Sequence, residues 1–145
     1  MTRRGALAMG AGLLAGSEAM ATSEFRLRED AASAVVTLLI FSGRPDPTWT
    51  LTGERLADLA ARFKALPPAP AGAAPALPPL GYQGMTIRFP DGAALDVGGG
   101  RMLSDGRALR ADPGRAFERW LLETGAAHVE PLPLDAARKE IERAR

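Results

Sequence analysis

Between Ser33 and Phe41 the chain reads Ser-Ala-Val-Val-Thr-Leu-Leu-Ile-Phe, with apolar side chains at both odd and even positions. That pattern predicts a strand covered on both faces, and the β-branched Val35, Val36, Thr37 and Ile40 favour strand over helix. Phe25-Arg26-Leu27-Arg28 alternates and is expected to pair with it at a sheet edge. Two prolines and a glycine within Ser42–Pro47 then rule out continuation.

From Thr52 the period changes. Leu56, Leu59, Phe63 and Leu66 recur at i, i+3, i+7 and i+10, which predicts a helix ending near Leu66 with one apolar stripe. Thr52 is placed as its cap, and Glu54 and Asp58 in the first turns suit the helix dipole. Pro67–Pro79 then carries six prolines in thirteen residues and predicts an extended connection with little capacity to pack. Beyond it, Met85, Ile87 and Phe89 alternate with Thr86 and Arg88, Pro90-Asp91-Gly92 marks a turn, and Ala93–Val97 returns as a second strand. Gly98-Gly99-Gly100 reads as a turn or bulge, followed by one more short strand or hairpin to about Arg110. Asp112-Pro113 predicts a helix start, with Phe117, Trp120 and Leu121 inward and Gly125 as the stop. A last helix is expected from Asp135, frayed because Ile141 is its one sizeable anchor.

These elements predict an α+β fold. A small, mainly antiparallel sheet from about residues 25–41 and 81–110 packs against helices near 53–66 and 113–124, with a short C-terminal helix added. Neither side of the proline-rich loop holds enough apolar residues for a core of its own, so residues 22–145 are expected to form a single domain.

Composition sharpens this picture more by exclusion than by indication. With no Cys among 145 residues, the chain has no disulfides, thiolate metal sites or lipoprotein anchor. Sixteen of the 18 basic residues are Arg, and 28 residues are Ala, a bias that resembles a GC-rich bacterial coding sequence more than a binding signal. A net charge of +1 argues against nucleic acid as a partner.

The N-terminus has its own logic. Arg3-Arg4 precedes a twelve-residue Gly/Ala/Leu stretch from Gly5 to Gly16, and Ala19-Met20-Ala21 offers a cleavage site. Such a stretch is too short to span a bilayer, which takes about 20 residues, so residues 1–21 are expected to be a signal peptide. The arginine pair, with Leu7 three residues on, resembles a twin-arginine export signal. Removing Arg3, Arg4 and Glu18 leaves 16 basic and 16 acidic residues, a formally neutral chain. The expected product is periplasmic or secreted and has no membrane span.

Chemistry is sparse. His128 is the sole imidazole, and no serine sits in a nucleophile-elbow pattern. Asp91, Asp96 and Asp105 are too far apart for a calcium loop. The glycine triplet lacks the strand–helix context of a phosphate loop. No catalytic residue, metal or cofactor is implied. Ser42–Leu51 stands out instead: two prolines stiffen it, Asp46 can accept backbone N–H groups, and Arg44 can pair with Asp46 or stack on Trp49. Arg44, Asp46 and Trp49, with Tyr82 beyond the loop, form the candidate binding surface.

The run Ser-Gly-Arg-Pro-Asp-Pro-x-Trp-x-Leu at 42–51, Leu-Gly-Tyr-x-Gly at 80–84 and the Trp-Leu-Leu-Glu run at 120–123 together resemble a family of small proteins of no known activity. The resemblance spans roughly residues 34–124 and implies one domain without supplying a function. The leading expectation is a non-enzymatic binding or accessory module for an unknown protein or polymer. The rival is a small hydrolase using loop carboxylates and His128.

Overall fold

The structure, a computed structural model, describes residues 31–70 and 81–143. The expected signal peptide, the Phe25–Arg28 strand and most of the proline-rich segment lie outside those residues. Six strands form one sheet: β1 (Ala34–Leu38), β2 (Thr48–Leu51), β3 (Met85–Arg88), β4 (Ala94–Gly98), β5 (Arg101–Ser104) and β6 (Arg107–Ala111). Their order is β2-β1-β3-β4-β5-β6, and every neighbouring pair is antiparallel. Helices α1 (Gly53–Ala65), α2 (Ala116–Thr124) and α3 (Pro131–Arg143) complete the α+β architecture.

Alternation decides which side of the sheet is core. Val36, Leu38, Met85, Ile87, Leu95, Val97 and Met102 point to one face and join a single buried cluster with Leu59, Phe63, Leu121, Leu122 and Ile141 of the helices. The opposite face carries two rows of neighbours across the strands. Thr48, Thr37, Thr86, Asp96 and Leu103 make one row, and Thr50, Val35, Arg88 and Ala94 make the other. The expectation that the first strand is covered on both faces is therefore corrected. Val35 is 40% exposed, because its parity faces away from the helices.

Tight turns account for the last three strands. Gly99 and Gly100 join β4 to β5, and Asp105 and Gly106 join β5 to β6. All four have positive φ (61°, 82°, 52° and 75°), which a two-residue I′ hairpin requires. The free edge of β6 is closed by the start of the proline-rich segment. Ala111 N–H donates to Pro67 C=O at 2.9 Å, and Ala69 N–H donates to Leu109 C=O at 3.3 Å. Pro68 and Pro70 have no N–H to extend that pairing, so the edge is blunted.

Three helix expectations change. Thr52 occupies the cap position of α1, but its side chain makes no capping bond. Pro113–Arg115 is a separate 3₁₀ turn, and α2 begins only at Ala116, after Arg115 has turned left-handed at φ 56°. The C-terminal helix starts at Pro131, not Asp135, and is anchored rather than frayed. Leu134, Ala137 and Ile141 are buried at i, i+3 and i+7. Its prolines sit in the first turn, where N–H groups have no intrahelical acceptor anyway.

Candidate functional site

The loop that stood out in the sequence is fixed from within. Asp46 Oδ1 accepts the N–H of Ile40 at 3.0 Å and of Phe41 at 2.8 Å, and Leu38 N–H donates to Pro47 C=O at 2.9 Å. The Asp46 carboxylate, at one end of the turn, thus ties down the backbone at the other. Arg44 neither pairs with Asp46 nor stacks on Trp49. Its guanidinium lies over the Phe41 ring, 3.9 Å from the centroid. One of its nitrogens is 3.9 Å from Glu130 Oε1, just before α3. Two residues on, Leu132 is 83% exposed.

Trp49 belongs to β2 and to the core. It is 4% exposed, and its Nε1–H donates to Thr124 Oγ1 at 2.9 Å across 75 residues of sequence. The Thr124 hydroxyl in turn donates a hydrogen bond to Leu121 C=O at 2.5 Å, so the last turn of α2 receives the indole. The indole also lies flat against Gly125. A Cβ there would sit 2.3–2.6 Å from three of its carbons.

Tyr82 is buried as well, in the most polar part of the interior. Its hydroxyl donates to Glu118 Oε2. Arg115 grips the same carboxylate with two bonds of 2.7 Å, from Nε to Oε1 and from Nη2 to Oε2. Asp112 caps α2 from outside it, accepting Phe117 N–H at 2.8 Å and Glu118 N–H at 2.9 Å. All four side chains are buried, Glu118 completely, and every buried polar side-chain atom among the described residues is satisfied.

Burial sets the electrostatics of this cluster. It pushes the Tyr82 phenol far above its ordinary range, and the adjacent Glu118 carboxylate adds to the effect. Burial also raises Asp112, against the lowering influence of its two N–H donors. The bond to Glu118 raises Arg115. These groups lock a backbone that is left-handed at Arg115, a non-glycine conformation costing about 1–2 kcal/mol.

The four candidate residues therefore divide. Arg44 is exposed and Asp46 shapes the loop beneath it, whereas Trp49 and Tyr82 are core anchors and present no surface. Sequence reasoning missed Phe41 and Glu130, which lie against Arg44, and the exposed Leu132 two residues beyond Glu130. It also missed Arg115 and Glu118, the partners of Tyr82. The three sequence motifs meet in space, because Trp49 and Tyr82 both dock on α2.

The chemical alternatives find less support. His128 is exposed in a 3₁₀ turn (Ala126–His128). Asp91 accepts Ala93 N–H at 3.0 Å, Asp96 accepts the Thr86 hydroxyl at 3.2 Å, and Asp105 forms a hairpin turn. No group of three or more His, Asp or Glu suited to a metal ion occurs among the described residues. Their helices include none long and apolar enough to cross a membrane. The glycine triplet makes the β4–β5 hairpin rather than a phosphate loop. Comparison with family models, curated proteins and solved structures gave no match.

Proposed function

We propose that this chain is an exported, non-enzymatic binding module whose contact element is the 41–47 loop together with the start of α3. The observation that carries this reading is the Arg44–Phe41 stack on a loop pinned by Asp46. A guanidinium seated over a ring keeps N–H groups available for a carboxylate or carbonyl. Its ion pair with Glu130 is long and exposed, and so is readily exchanged for a better acceptor. Leu132 adds an apolar anchor, and a preformed loop loses little entropy on docking. The partner this suits is a protein presenting an acidic group beside an apolar pocket.

Export rests on the N-terminal pattern, with Arg3-Arg4 read as a twin-arginine signal and cleavage after Ala21. Replacing both arginines by Lys blocks twin-arginine translocation and spares general secretion, which separates the two routes. Binding is tested with a photocrosslinking residue at position 132 in living cells. The expected result is one discrete adduct that Arg44→Ala abolishes. The same adducts from exposed Ala57 on α1 would count against the reading. No observation favours hydrolysis, since the loop acids serve as turn and strand acceptors.

A further inference from the structure

All three helices pack on one side of the sheet, leaving the other side as an extended surface without a covering element among the described residues. Thr37 and Thr86 lie at its centre, flanked by Val35, one of only two large apolar side chains exposed among the described residues. In the two central rows the charged side chains are Arg88 and Asp96, on adjacent strands and diagonal to each other. Among the described residues neither forms an ion pair: Arg88 reaches Gly92 C=O at 3.4 Å, and Asp96 takes the Thr86 hydroxyl at 3.2 Å.

We infer that this face binds a second copy of the chain, sheet against sheet across a two-fold axis. Arg88 of each copy would meet the partner's Asp96, with Val35 and the threonines packed between. A two-fold interface applies the same patch to itself, so each charge needs its opposite on the same patch. One unpaired cation and one unpaired anion in the two central rows meet that condition, while Arg101 in the next row is already engaged. Growth of the sheet at the β6 edge is closed by Pro67–Ala69.

Six strands about 4.8 Å apart and four residues of about 3.4 Å each give a footprint of roughly 24 by 14 Å. That is small beside the ~800 Å² per partner of a standard interface. The dimer therefore forms at high protein concentration and dissociates on dilution. This surface shares no residue with the Arg44–Leu132 element, so the two readings stand or fall separately.

Sedimentation equilibrium of the purified protein from micromolar to millimolar concentration tests the inference. The average mass is expected to rise toward twice the monomer. Arg88→Glu and Asp96→Arg should each weaken association by about tenfold or more, and the double reversal should restore it. Circular dichroism should be unchanged in all three, since both side chains are exposed. A monomer throughout that range would overturn the proposal. So would association indifferent to Arg88→Glu, or a double reversal that fails to restore it.

Discussion

Replacing Gly125 by Ala sets two physical effects of opposite sign against each other. At φ −103° and ψ 6° the backbone lies outside the glycine-only region, so alanine fits it without strain. On chain entropy alone the substitution stabilises by about 0.4–1 kcal/mol. Contact predicts the reverse. The new methyl would fall 2.3–2.6 Å from three indole carbons of Trp49, roughly an ångström inside ordinary contact. The ring has little room to yield, being buried and tied to Thr124 by a 2.9 Å bond. Overpacking a closed site costs about 1–3 kcal/mol, and loss of the indole bond adds about 1 kcal/mol. The net expectation is about 2–3 kcal/mol of destabilisation, a large part of the 5–15 kcal/mol typical of a domain. Urea unfolding followed by far-ultraviolet circular dichroism measures it. The control is the same change in a Trp49→Leu background, where the penalty should shrink or change sign. A neutral or stabilising Gly125→Ala in the wild-type background would refute the packing argument.

Glu118→Ala leaves Arg115 buried without its carboxylate and should cost about 3–5 kcal/mol in the same unfolding assay. Tyr82 is the only tyrosine, so tyrosinate absorbance reports on it alone. Its phenol is raised when folded; the associated stability is therefore present below pH 10.0 and lost as pH rises further. Alkaline titration should show tyrosinate appearing together with loss of dichroism, whereas ionisation of an intact fold near pH 10.0 would contradict the buried cluster. Glu123 accepts two bonds from Arg138, at 2.8 and 2.7 Å, and is lowered by them. Arg138→Ala should cost less than about 1 kcal/mol, since both side chains are substantially exposed. That difference should be full above the ordinary carboxylate range and fade as pH falls through it. Asp46→Ala removes the acceptor of two loop N–H groups and should cost about 1–2 kcal/mol while raising hydrogen exchange at Ile40 and Phe41.

Where the determinants of the fold are local, the sequence displays them. Leu56, Leu59 and Phe63 mark α1 through their own spacing, and Met85, Ile87 and Phe89 mark the strand that pairs with β1. Strand β2 is different, since Thr-Trp-Thr-Leu is too short to show a period and exists because β1 offers it a register. Which parity of β1 faces the core was equally hidden, because apolar residues occupy both. The burial of Trp49 and Tyr82 depends on partners 75 and 36 residues away, and no window around either residue contains that information. For α3 the signal is present: Leu134, Ala137 and Ile141 have helical spacing, and Pro131 and Pro133 are tolerated in a first turn.

Docking of β2 and of the Tyr82 segment on α2 has a consequence for how the chain is made. Helix α2 begins only at Ala116, after every strand of the sheet has been synthesised. Until Thr124 and Gly125 leave the ribosome, the Trp49 indole has neither its acceptor nor its packing surface, and Tyr82 awaits Glu118. A nascent chain ending before Ala116 holds six strands and no lock. Completion of the core is thereby deferred until α2 has emerged, and a product truncated before it is left with its aromatic anchors undocked and open to quality control.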